Sequence, residues 1–113
     1  MFRTFFQELP LIIQVNAGDI ESSNPLRHKV HDEVEASLKH VAEKVTRVEV
    51  HLRDDNSQKS AANDKRVTME ARIAGQPPLA IEHTSDDLYK CIGEAAGKLG
   101  RAVTTKLERL AAP

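Results

Sequence analysis

The chain has one cysteine, no long apolar run and no excess of charge of either sign. Cys91 has no second cysteine with which to form an internal disulfide, so a reducing, cytoplasmic setting is expected. No stretch approaches the eighteen or so apolar residues that span a bilayer, and no membrane partner is expected. Residues 1–10 lack a long apolar segment followed by a small-residue cleavage site, which argues against a secretory leader. Basic side chains number 16 and acidic ones 17, a formal charge of −1. Any attraction for nucleic acid must therefore come from a local patch rather than from the whole molecule. A phosphate-cradling glycine loop and a nucleophile elbow are both missing from the sequence. Cys91, one residue before apolar Ile92, reads as a small packed side chain rather than a nucleophile. No cofactor is implied, and the chain reads as a binding protein, not an enzyme.

At 113 residues the chain suits a single domain with one core. Residues 1–10 form an N-terminal extension, and residues 11–113 carry the domain. Phe2, Phe5 and Phe6 cluster in the extension. They either pack over one end of the domain or form a small arm for homo-oligomerisation, since clustered aromatics favour interfaces.

Within the domain, Leu11 to Ala17 alternates enough to predict a strand. Asn24-Pro25 starts a helix, with Asn24 the expected N-cap and Pro25 at the first helical position. Leu26, Val30, Val34, Leu38, Val41 and Val45 then recur every three or four residues, predicting about twenty residues of helix. Arg47 to Arg53 switches to period two, with Val48, Val50 and Leu52 on one face. Asp54 to Asp64 is polar and reads as a long loop. Lys65 to Ala74 alternates again, placing Val67, Met69, Ala71 and Ile73 together, and Leu79 to His83 is a shorter strand. Ser85 is the expected N-cap of a second helix with Asp86 and Asp87 in its first turn. Its apolar stripe is Leu88, Ile92, Ala95, Leu99, Val103, Leu107 and Leu110. The order β-α-β-β-β-α predicts an α+β fold with a four-stranded mixed sheet. The first two strands should be parallel through a right-handed crossover, and both helices should lie on one face. Gln14, Asn16, Glu49, His51, Arg53, Thr68, Glu70, Arg72 and Glu82 should occupy the other, open face.

The segments RVEVHLR, DKRVTMEARI and DDLYKCIGEAAGKLGRAVTTKLERL, in this order and hydrophobic phase, resemble the short ribosome hibernation-promoting factors. These are bacterial ribosome-associated inhibitors, also called ribosomal subunit interface proteins. The resemblance runs from about Leu11 to Leu110. It implies a fold similar to a double-stranded RNA-binding domain with an added N-terminal strand, and no catalytic activity. It also implies a partner, the small ribosomal subunit and its rRNA. There the family blocks messenger and transfer RNA and holds translation idle under stress.

RNA affinity comes mainly from cations that neutralise phosphates. Lys98, Arg101, Lys106 and Arg109 lie beside the apolar stripe of the second helix, opposed only by Glu108. By the resemblance, such helix-borne cations correspond to the family's RNA-facing surface. The first helix and its end add Arg27, Lys29, Lys39 and Lys44, diluted by Asp32, Glu33, Glu35 and Glu43. Lys65 and Arg66 sit at the mouth of the third strand. The plain alternative is that all ten are ordinary solvated positions, and the near-neutral total leaves open a divergent protein-interaction module that kept the fold without ribosome binding. His28 and His31 have a metal-sharing spacing, but no cysteine or further histidine completes a set, so no metal is expected. His51 and His83 are placed on or near the open face. Glu49, Glu70 and Glu82 resemble paired carboxylates, yet Arg53 and Arg72 beside them explain the composition by cross-strand charge pairing.

Overall fold

The computed structural model describes residues 11–18, 20–55 and 64–112. The extension with Phe2, Phe5 and Phe6, and most of the polar loop between Asp54 and Asp64, lie outside the described residues. The elements are β1 (Ile12–Asn16), α1 (Asn24–Leu38), a 3₁₀ turn (Lys39–Lys44), β2 (Val45–Asp54), β3 (Lys65–Ile73), β4 (Leu79–Ser85) and α2 (Leu88–Ala111). Sheet order is β1-β2-β3-β4. β1 pairs with β2 in parallel, Ile13 beside Val48, and the other two pairings are antiparallel. This is the expected mixed sheet.

Alternation decides which side of the sheet is wet. Val48, Val50, Leu52, Val67, Met69, Ala71 and Ile73 are all buried on the helix side. Val45 is out of phase with Val48, yet it is buried too, because the ladder shifts register between Val45 and Arg47 and turns it inward. Leu26, Val30, Val34 and Leu38 of α1 meet Cys91, Ile92, Ala95, Ala96, Leu99 and Val103 of α2 over these strands. One contiguous apolar core results.

Several boundaries differ from the sequence reading. The α1 cap is Ser23, not Asn24: its Oγ accepts from Leu26 N at 3.2 Å. Ser and Asn both cap well, and Pro25 fits the first or second helical position equally. The α-helix stops at Leu38, short of the expected length, and the chain tightens to a 3₁₀ turn with Val41 off helical geometry. Val45, four residues after Val41, opens β2 instead of continuing the helical stripe. The α2 cap is Asp87, whose Oδ1 accepts from Lys90 N at 3.0 Å. Ser85 is instead the buried last residue of β4, and Asp86 and Asp87 precede the helix rather than fill its first turn. Leu110 is exposed, since α2 outruns the sheet that covers its stripe.

The helices run in the same direction. Glu33 lies against Gly93, Ser37 against Gly100, and His40 Nε2 is 2.8 Å from Thr104 Oγ1. Gly100 is where the backbones meet: a Cβ there would stand 2.6 Å from the Ser37 carbonyl oxygen.

Candidate nucleic-acid interface

From Gly97 to Ala112 the outward positions of α2 carry four cations and one acid, Glu108, a local balance of +3. The inward positions of the same stretch, Leu99, Gly100 and Val103, are buried and fix the rotation of the helix on the sheet. That rotation brings Lys98, Arg101, Lys106 and Arg109 round a single open groove of about 510 Å³, whose remaining lining is Leu79, Ala102 and Thr105. The small side chains at 102 and 105 keep it shallow. Among the described residues none of the four cations forms an ion pair. Lys98 Nζ donates to the Glu82 backbone carbonyl at 2.8 Å, a bond that positions the ammonium without cancelling its charge.

A second groove of about 480 Å³ runs between the helices and shares Arg101 and Thr105 with the first. His40 and Thr104 line it, and the close approach at Gly100 forms its floor. Neither residue stood out in the sequence. The signal was the spacing of Gly93, Gly97 and Gly100 on one side of α2, which lets another helix come close.

The other expected cations separate into two groups. Lys39 and Lys44 are exposed in the 3₁₀ turn, without an ion pair among the described residues, on either side of His40 in sequence. Arg27 lines a different cavity, of about 440 Å³, with Gln14, Asn16, Glu49 and His51. Lys29 pairs with Glu33 at 2.8 Å. Because the helices are parallel, both stand toward the N-terminal end, away from the α2 cluster. Lys65 is bound to Asp54 and Asp64, each at 3.2 Å. Its hydrogen bond to Asp64, then that to Asp54, raise its pKa above the ordinary 10.5. Arg66 contacts Asp55 at 3.2 Å and Glu82 at 3.6 Å. These two carry little free charge toward a phosphate.

The open sheet face is densely paired. Arg47 contacts Glu49 at 3.0 Å and also reaches Gln14; Arg53 meets Asp55 at 3.5 Å, and Arg72 meets Glu70 at 3.7 Å. His51 is on this face as expected, 4.0 Å from Glu49. His83 is not: it shares the helix side with Leu79 and Ile81, and its Nε2 is 3.0 Å from Glu94 Oε1. Cys91 is buried, its Sγ donating to the His83 carbonyl at 3.3 Å, and burial pushes its pKa up, which disfavours the nucleophilic thiolate. Among the described residues no group of three histidine, cysteine or acidic side chains gathers as metal ligands would, and no helix is long and apolar enough to cross a membrane.

Residues 13–111 match the family model described as sigma 54 modulation protein / S30EA ribosomal protein. Solved structures share the fold, two of them as follows. A ribosomal subunit interface protein from Coxiella burnetii superposes with a TM-score of 0.70 at 16% identity, covering 87% of this chain and 99% of that one. The N-terminal domain of Thermus thermophilus Protein Y gives 0.64 at 19% identity, covering 83% and 96%. No curated protein sequence matches the chain.

Proposed function

The chain belongs to the sigma 54 modulation protein / S30EA ribosomal protein family, and on that premise we propose that it associates with the ribosome and silences translation by occupying the RNA channel of the small subunit. The action is steric: the bound domain denies messenger and transfer RNA their path, and no bond is made or broken. Its partner is rRNA, engaged through phosphates by Lys98, Arg101, Lys106 and Arg109, with Lys39 and Lys44 as flanking contacts. Arg27, Lys29, Lys65 and Arg66 are the weaker members of the interface, because they are distant or already paired.

One observation carries the reading. Four cations surround one groove, and none is matched by a carboxylate among the described residues. Phosphate oxygens are the complementary ligand for such a row, and backbone contacts of this kind give affinity without sequence readout. The formal charge of −1 is compatible with it, since the acids that balance the total sit elsewhere on the molecule.

Sedimentation through a density gradient with purified small subunits, large subunits and whole ribosomes tests the proposal. The native chain should travel with small subunits and whole ribosomes at low salt. Affinity should fall with a log–log salt slope of about −3, as four phosphate contacts require. Protein left at the top of the gradient at low salt would refute the reading.

A further inference from the structure

The open side of the two central strands carries a charge order of which the proposed rRNA interface takes only Arg66, and that weakly. Along β2 it runs Arg47, Glu49, His51, Arg53 and then Asp55, just past the strand. Along β3 it runs Asp64, Arg66, Thr68, Glu70, Arg72. His51 stands directly opposite Thr68. Two residues to either side of that pair the charges are opposite in sign: Glu49 against Arg53, and Glu70 against Arg66. Four residues to either side they are opposite again, Arg47 against Asp55 and Arg72 against Asp64. The ladder reaches this far, since Asp55 N donates to the Asp64 carbonyl at 2.7 Å. Each strand is thus antisymmetric in charge about its middle, and the two middles are neighbours.

Inside one molecule this order is unfavourable. It sets Arg47 opposite Arg72, Glu49 opposite Glu70, and Arg53 opposite Arg66, and like charges facing each other across strands destabilise a sheet. Ion pairs along each strand, and those of Arg66 with Asp55 and Glu82, give each of these cations a carboxylate without removing the like charges that face each other. A second copy adds opposite charges from above. A two-fold axis crossing the strands through His51 and Thr68 lays Glu49 over Arg53 of the copy and Glu70 over its Arg66, with each contact repeated in reverse. Rows two residues apart are about 7 Å from each other in both copies, so the rows nearest the axis meet best, and sheet twist draws the outer rows apart. We infer that the open sheet face is a self-association surface, and that its partner is a second copy of this chain stacked on it about that axis.

Two-fold contacts are isologous, so the four kinds of pair each occur twice. Two features limit their strength. Asp64 is held by Lys65 at 3.2 Å, which weakens the outermost row. Glu82, in the row of Thr68, faces its own copy, although Arg66 at 3.6 Å offsets its charge. Apart from Ile12 at one corner, the face presents no large apolar side chain among the described residues. The association is therefore weak and sensitive to salt. It leaves both α2 grooves open on the outer sides of the pair, so it stands independently of the ribosome reading.

Sedimentation velocity of the full chain from about 10 μM to about 1 mM, at about 20 mM and about 500 mM salt, tests this. Dimer should accumulate with concentration at low salt and largely vanish at high salt. Arg53→Glu alone and Glu49→Arg alone should each weaken dimerisation about tenfold, since each turns two symmetry-related attractions into repulsions. The double variant Glu49→Arg/Arg53→Glu restores the antisymmetry and should recover to within about threefold of the native dimer. Thermal melts confirm that each variant folds, and serine at Phe2, Phe5 and Phe6 should change nothing. A monomer throughout at low salt overturns the inference. So does a double variant no better than the singles, or a dimer that is lost with the phenylalanines and indifferent to the charges.

Discussion

On the sheet, Arg47, Arg53, Lys65, Arg66 and Arg72 each have a carboxylate at 3.0–3.7 Å. On the flank of α2, Lys98, Arg101, Lys106 and Arg109 have none among the described residues. The residue types are the same and the consequence is opposite. Strand alternation puts acids and bases on one face two residues apart, where short-range pairing absorbs the field. The helix skips its one nearby acid and leaves the cations beside small residues. A whole-chain charge near zero is thus the sum of a surface whose acids and bases balance and one whose cations stand unmatched, and only the second is available to a polyanion.

The hardest blow to this contrast is a charge reversal placed on each side. Arg101→Glu/Arg109→Glu should lower affinity for small subunits roughly a hundredfold at low salt and reduce the salt slope by about 1.5 to 2. Arg53→Glu/Arg72→Glu should leave that affinity within about threefold, because those guanidinium groups are already neutralised. Equal losses, measured by gradient binding, would erase the distinction.

Gly100→Ala probes what holds the helix flank in place. The added methyl meets the Ser37 carbonyl at 2.6 Å, and the strain should cost about 1–3 kcal/mol, more than the helix propensity gained of about 1 kcal/mol. A lowered thermal midpoint and weakened binding together are expected; a higher midpoint would contradict the close approach. Asp87→Ala should cost about 1 kcal/mol in denaturant melts, whereas Asn24→Ala, beside the true cap Ser23, should cost less than about 0.5 kcal/mol.

The smallest effect belongs to the sheet side. Folding raises the Lys65 pKa above 10.5, so its contribution is complete below that value and is lost as pH rises through the raised one. Lys65→Met should lower stability slightly near neutrality and flatten its alkaline fall, the two proteins converging at the alkaline end, as melts from about pH 8 to 12 would show. An unchanged alkaline limb would mean that the bonds to Asp54 and Asp64 are not maintained in solution.

The alternation of RVEVHLR and DKRVTMEARI and the three-to-four spacing on both helices were enough to read the element order, the strand faces and nearly all of the core, because burial dictates both periods. The α2 cations were legible for the same reason: once the stripe is placed, Lys98 and Arg101 must flank it. His83 was readable as well, since it keeps step with Leu79 and Ile81. Caps were not, because Ser23 and Asn24, or Ser85 and Asp87, offer equivalent chemistry within two residues and local geometry chooses between them. Nor was the neutralisation of Lys65 and Arg66, which depends on a register bringing Asp54 opposite Lys65 across a long loop. Periodicity says which way a side chain points; it is silent about which distant residue arrives beside it.

Lys98 stands at the border of the two regions, its ammonium fastened to the Glu82 carbonyl on the outermost strand. An edge carbonyl left bare is an invitation to another chain's amide, so this lysine serves as a latch on the rim of the sheet. A polyanion settling in the groove bids for the same three protons. Loading the groove and guarding the rim are therefore coupled through one side chain.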